Sequence, residues 1–441
     1  MTILIALQFV VVLAAIWMGA RSSGVGLGLW GAVGLLILVL GFGVTPTSPP
    51  IDVMLIILAV IMAASVMDAA GGIDYLVRIA ERVIRANPKY VTIVAPLTTW
   101  SFTFVAGTGH IVYPLLPVIY ETAHQSGIRP ERPMAVATIA SQQAITASPV
   151  AAATAAMIGL FAEKGLPQWG LPQILMICVP ATLVGVTVAA IISMFLGKDL
   201  ADDPEYQARL AAGAIPQPKA ATVNTSLKPG ARASAGLFLV AVGLVVLFGF
   251  FPHLRQLPGA KGPLAMPTVI EIVMLSVAAV MLVATKVPVD EVPKTATLRS
   301  GVVAVIGIFG LAWLGDSFIA ANQAVIVPAI SALTAAAPWT FTLGLFAASV
   351  LLYSQAATTR ALMPLGLALG IQPQFLIGAF PSVNGYFFIP TYGSLIAAIN
   401  FDLSGTTKIG KYVLNHSFMI PGLVATTVAV FTGLVIAKVL F

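Results

Sequence analysis

Ten stretches of this chain each run for about twenty residues with almost no charge inside them, and that pattern fixes the solvent in which the chain can fold. A bilayer's hydrocarbon core is about 30 Å thick and a helix rises about 1.5 Å per residue, so about 20 residues cross it. The runs lie at 2–19, 24–43, 52–71, 133–160, 172–196, 232–251, 267–286, 300–320, 374–400 and 417–440. Of the 441 residues, 59% are hydrophobic and 9% charged. A soluble domain carries about 25% charged residues, so a water-facing globule is excluded and the lipid bilayer is the expected partner. The net charge of +6 does not indicate nucleic acid, because the cations sit in short loops between apolar runs and form no basic face. The single cysteine, Cys178, lies inside an apolar run, which leaves no disulfide framework and no thiolate metal site. No cofactor or metal is expected. Met1–Trp17 lacks a basic start and a cleavage site, and reads as a retained first helix.

Two apolar stretches are too short to cross. Tyr90–Val105 meets the Gly-broken tip Ala106-Gly107-Thr108-Gly109-His110 and returns as Ile111–Ile119. Trp339–Tyr353 meets Ser354-Gln355-Ala356-Ala357-Thr358-Thr359-Arg360 and returns as Ala361–Gly370. Both read as re-entrant hairpins, about 90–120 and 339–370, since irregular backbone at membrane depth is tolerated only beside protein or a water-filled cavity. The cations set the orientation. Of 22 Lys and Arg residues, all but Lys164, Arg255, Lys261, Lys438 and the hairpin-tip Arg360 share one side, which the positive-inside rule makes cytoplasmic. Both termini are then periplasmic.

Each half of the chain reads as three spans, a hairpin and two spans. Five crossings is an odd number, so the second half lies inverted relative to the first. The expected fold is an all-α integral membrane protein with about ten transmembrane helices and two re-entrant hairpins in two inverted-topology repeats, 1–196 and 232–441. A partly flexible cytoplasmic linker, 197–231, holds Asp202-Asp203-Pro204, Pro216, Pro218 and Lys228-Pro229-Gly230. A shift of 250 residues pairs Thr108 with Thr358, His110 with Arg360, Pro114 with Pro364 and Ser141 with Thr391. A competing shift of 213 aligns Ser141-Gln142-Gln143-Ala144 with Ser354-Gln355-Ala356-Ala357. It matches better by letter but pairs a spanning helix with a hairpin, so hydropathy order decides against it.

Polar residues gather at membrane depth in four places: the two tips and two helices interrupted by proline, at 141–149 and at 381–394. Proline removes a backbone donor and clashes with the preceding turn, so these helices unwind there and free backbone groups for a ligand. Each returning hairpin arm starts a helix at its tip, near Gly109–Ile111 and near Thr359–Ala361, and a helix start attracts anions. Two such ends facing one midplane site suit a molecule with a carboxylate at each end. The expected ligands are Thr108, Gly109, His110, Ser141, Gln142, Thr146, Ser148, Ser354, Gln355, Thr358, Thr359, Arg360, Thr391 and Tyr392, with Arg360 as a bidentate clamp. Against this, membrane-helix hydroxyls commonly bond their own backbone, and Arg360 could snorkel to the surface. Asp68 and Asp316 are candidates for proton coupling or, near helix ends, solvated carboxylates.

No His is followed by Glu, so no H-E-x-x-H site exists, and no Walker A sequence is present. An enzyme is not expected. The ordered motifs Ala70-Gly71-Gly72-Ile73-Asp74, Arg85-Ala86-Asn87-Pro88-Lys89-Tyr90, Ile93-Val94-Ala95-Pro96, Gly107-Thr108-Gly109-His110, Arg129-Pro130-Glu131-Arg132-Pro133, Ala147-Ser148-Pro149, Ser354-Gln355-Ala356-Ala357, Ile389-Pro390-Thr391-Tyr392 and Ser404-Gly405-Thr406-Thr407 resemble the anaerobic C4-dicarboxylate transporter (Dcu) family nearly end to end. The resemblance implies exchange of fumarate, malate or aspartate for succinate across a bacterial inner membrane. A Na⁺- or H⁺-coupled dicarboxylate symporter is the alternative, ahead of a dicarboxylate-binding sensor. Hairpins and interrupted helices are expected to move against the other spans, which form the scaffold and any homodimer contact.

Overall fold

In lipid every backbone N–H and C=O must be paired within the protein, which for long apolar segments leaves the helix. The computed structural model describes residues 2–22, 25–215, 226–260, 262–336, 339–352, 354–390, 392–410, 412 and 414–441, with side chains at all but 2, 20, 323 and 326–336. Thr391, Lys261, Lys411 and the linker segment 216–225 with Pro216, Pro218 and Lys219 lie outside the described residues. The described chain is helical throughout, with only isolated bridges between extended residues.

The first half opens with α1 (Thr2–Ser22), α2 (Gly26–Phe42) and α3 (Ile51–Ala69), then the amphipathic α4 (Gly72–Ala86). Next, α5 (Val91–Ala106) turns through a 3-10 stretch, Gly109–Leu115, into α6 (Leu116–Gln125). A broken helix follows, α7 (Glu131–Gln143) and α8 (Ala152–Glu163), and then α9 (Leu171–Ser193). The connecting segment carries α10 (Pro204–Ala211). The second half has α11 (Ala231–Phe250), α12 (Met266–Thr285) and α13 (Ala296–Gly307), the last leading through a π-helical segment, Ile308–Ala312, into α14 (Trp313–Ala336). A tight pair follows, α15 (Trp339–Leu352) and α16 (Gln355–Ala368). A second broken helix, α17 (Pro373–Ala379) and α18 (Gly393–Phe401), is split by 3-10 turns, and α19 (Met419–Leu440) closes the chain.

Among the described residues, six helices are long and apolar enough to cross a membrane: α3, α9, α11, α12, the stretch Ala296–Asn322 and α19. The apolar parts of α1 and α2 are shorter, and the runs at 133–160 and 374–400 are each divided in two. The helix expected to end at 320 continues to Ala336. The described stretch 197–215 of the linker carries a capped helix. Asp203 accepts N–H groups from Glu205 at 2.9 Å and Tyr206 at 3.2 Å, capping α10, and pairs with Arg129. Burial alone would raise its carboxyl; the Arg129 bond and the two N–H groups outweigh that and hold it below the usual range. His124 Nε2 lies 3.0 Å from Tyr206 Oη, tying α10 to α6.

Small residues set how closely the helices meet. A Cβ on Gly310 would fall 1.7 Å from the Gly28 carbonyl oxygen, so α2 crosses the π segment backbone to backbone. Extensive apolar cores form between α3, α8, α9, α11 and α12, and separately around α4 to α7. Phe195, Val283 and Leu40 point outward, at 80%, 80% and 77% exposure; such faces suit lipid, not water.

Candidate functional site

The first tip turns because Gly107 ends α5 at φ +71°, a conformation that disfavours other residues. A Cβ there would also lie 2.7 Å from the Val150 carbonyl oxygen. Thr108 then caps the 3-10 stretch, its Oγ1 accepting the His110 N–H at 3.3 Å. A Cβ on Gly109 would fall 2.2 Å from Gln142 Nε2, so this tip rests directly on the first broken helix. His110 is exposed and stacks on Tyr113 with ring centroids 5.7 Å apart.

The second tip begins its return earlier than expected. Ser354 is extended and its Oγ accepts the Ala357 N–H at 3.2 Å, so α16 starts at Gln355, not near Thr359. Gln355 Nε2 donates to Gln142 Oε1 at 3.0 Å and to Asn384 Oδ1 at 3.2 Å. Asn384 Nδ2 donates to Gln143 Oε1 at 3.2 Å, and Gln143 Nε2 to Thr426 Oγ1 at 2.7 Å. One buried run of amides therefore joins the second tip, both helix breaks and α19. Gln142 and Gln355, the pair matched by the shift of 213 residues, meet in space.

Between the tips lies a cavity of about 700 Å³, within the range of ligand sites. Thr108, His110, Gln142, Ser354, Gln355 and Tyr392 all line it. Four helix starts reach it: Gly109, Ala152 of α8, Gln355 of α16 and Gly393 of α18. Neither α8 nor α18 has a side-chain cap. Opposite the tips, α3 and α13 form the wall, and α13 contributes Thr297, Arg299 and Ser300. No Asp or Glu lines the cavity among the described residues. Positive helix-dipole ends and a guanidinium, with no carboxylate among the described lining residues, make this cavity electropositive.

A sequence profile described as an anaerobic C4-dicarboxylate membrane transporter matches residues 4–441. The chain belongs to this family. It is 38% identical over 443 residues to the anaerobic C4-dicarboxylate transporter DcuB of Escherichia coli O6:H1, covering 98% of each chain. It is 40% identical over 438 residues to the C4-dicarboxylate transporter DcuA of Wolinella succinogenes, covering 99% of this chain and 100% of the relative. In three dimensions it is similar to the YdaH transporter of Alcanivorax borkumensis, with a TM-score of 0.56 at 14% identity, over 94% of this chain and 97% of that one. The chain is thus a membrane transporter and not an enzyme, with the overall fold of that neighbour.

Several residues expected to line the site of this family member are committed elsewhere. Ser141 and Thr146 donate to the carbonyls of Thr138 and Gln143 at 2.8 and 2.9 Å, and Ser148 to Phe104 at 2.6 Å. Thr358 and Thr359 donate back along α16 to Ser354 and Gln355 at 2.8 and 2.7 Å. These hydroxyls satisfy backbone carbonyls at the helix breaks and the tip. Arg360 is not at the tip. It is 2% exposed, its Nη1 2.9 Å from Glu163 on α8 and its Nη2 3.4 Å from Asp316 on α14. The early start of α16 moves it into the second turn, against those carboxylates and away from the cavity. Asp316 is accordingly an ion-pair partner, while Asp68 Oδ2 accepts a hydrogen bond from Thr297 Oγ1 at 2.7 Å.

Arg299 and the Asn384–Gln143–Thr426 link escaped the sequence reading. Arg299 counted only as a loop cation. The signal available was Thr297, Ser300, Gly301 and Ala304, spaced i, i+3, i+4, i+7, a small and polar face on an otherwise apolar helix; all four line the cavity.

Proposed function

We propose that this chain is a secondary transporter that exchanges C4-dicarboxylates, such as fumarate, malate or aspartate for succinate, across the bacterial inner membrane. The observation that carries the reading is the cavity reached by four helix starts and Arg299 and lined by no carboxylate among the described residues. Each helix start contributes about 0.3–1 kcal/mol toward an anion when exposed and up to about 2 when partly buried. The names of the family and of its DcuA and DcuB members point to the same substrates.

The order of helices supports two inverted repeats, 1–196 and 232–441, with both termini periplasmic. In this arrangement the tight helix pairs re-enter at 90–120 and 339–370, and move with the broken helices against α1–α3 and α11–α14, the scaffold that would carry a homodimer contact. The cavity reaches Gly19 and Arg299, beside the loops that carry Arg21 and Lys286, Lys294 and Arg299, on the side that the positive-inside rule makes cytoplasmic, so in this reading the conformation is inward-open. Substrate would bind to Thr108, Gly109, His110, Gln142, Ser354, Gln355 and Tyr392, with Ser141, Thr146, Ser148, Thr358 and Thr359 holding the shape of the breaks.

Counterflow tests the proposal. Liposomes preloaded with unlabelled fumarate or aspartate are expected to take up labelled succinate without a Na⁺ or proton gradient, and empty liposomes are not. Uptake that needs an imposed ion gradient and ignores the preload would replace exchange with symport.

A further inference from the structure

Arg299 carries a charge that the fold does not use. Arg85, Arg129, Arg132 and Arg360 are each ion-paired with carboxylates. The Arg299 side chain is exposed and makes no hydrogen bond or ion pair among the described residues. It stands on the first turn of α13 and lines the cavity wall facing the tips. Its neighbour Thr297 is already held by Asp68, while Ser300 lines the cavity beside it. An unpaired guanidinium in a recess with no carboxylate among its described lining residues holds a positive field into which an anion is drawn. Its fork of N–H groups fits a carboxylate bidentately, which an ammonium cannot do.

We infer that Arg299 is a carboxylate-docking residue at the cavity mouth, selecting an anionic ligand as it enters from that side. The inference rests on the transport reading above and adds a sidedness to it. Because α13 packs chiefly on α3 and α2 and only lightly on α16, Arg299 would remain with the scaffold when the tips move. It would therefore meet substrate only from the cytoplasmic face, and substrate arriving from the periplasm would bind without it.

Two measurements on the full-length protein test this together. Equilibrium binding of succinate to detergent-purified protein is expected to weaken about tenfold in Arg299→Gln, the scale of one charge-assisted hydrogen bond. Arg299→Lys should recover part of that loss. In liposomes of known orientation, Arg299→Gln should raise KM for succinate on the cytoplasmic face about tenfold more than on the opposite face, and flatten the rise of cytoplasmic KM with salt. Unchanged binding together with an unchanged ratio of the two KM values would overturn the inference while leaving exchange intact. An equal rise on both faces would overturn it as well, making Arg299 part of the shared site or of the fold. Wild-type protein that binds succinate but does not exchange it would instead sink the antiport reading, and the binding loss would still support Arg299.

Discussion

A methyl group at Gly109 would arrive 2.2 Å from Gln142 Nε2, and Gln142 cannot retreat freely because Gln355 donates to it. Gly109→Ala should therefore push the first tip off the amide run and cost about one hydrogen bond, or about tenfold in succinate affinity. Titration of the purified variant by calorimetry checks this; wild-type affinity would mean that the tips do not share a site. Arg360 leads to a different expectation. With Arg360 2% exposed between Glu163 and Asp316, Arg360→Leu leaves two carboxylates facing each other without the guanidinium between them. Breaking a buried pair costs about 3–5 kcal/mol, and the partial exposure of both acids places this one toward the lower end. A thermal melt in detergent should show the loss, and adding Asp316→Asn should recover much of it. The residue types at these positions were legible in sequence, since Gly, Ser, Thr, Gln and Arg at membrane depth are conspicuous. Their roles were not. Whether Thr359 faces a ligand or its own Gln355 carbonyl depends on where α16 starts, and that depended on a single cap at Ser354.

Among the elements, the second helix pair is the one most open to mechanical test. A Cβ built on Gly315 of α14 lies 4.0 Å from the Ala361 Cβ of α16, inside the usual span for a disulfide. The double variant Gly315→Cys with Ala361→Cys should crosslink on mild oxidation, and native Cys178 is buried and would not interfere. If this pair moves against α14, exchange in liposomes should fall to background when oxidised and return with reductant. Full crosslinking with full exchange would rule out that motion. The pair and the two broken helices were legible as elements, because short apolar arms, Gly-rich tips and internal Pro are local signals. The π segment at Ile308–Ala312 was not, since it arises where α2 lies against Gly310, a contact between residues far apart in the chain. Nor was α10, whose order depends on Arg129 and His124 from another part of the chain.

At the scale of the whole molecule, hydropathy carried the most, because lipid demands long apolar helices whatever they later touch. The amide run from Gln355 to Thr426 shows what it could not carry: polar groups of both halves complete one another only once the halves are packed. The inverted arrangement makes a sharp demand on sidedness. Lys164 and Lys198 flank α9, so they must lie on opposite faces if that helix crosses. His253 lies between α11 and α12, and Lys294 between α12 and α13, so each is likewise one crossing from the other. Single cysteines at these four exposed positions can be read with a maleimide that does not cross membranes. In intact inner-membrane vesicles of native orientation, Lys164→Cys and His253→Cys should react at once, while Lys198→Cys and Lys294→Cys should wait for permeabilisation. Labelling of positions 164 and 198 from one face would remove a crossing from the first half. Labelling of 253 from the cytoplasmic face would give both halves the same orientation, and the two tips could then no longer approach one cavity from opposite sides of the membrane.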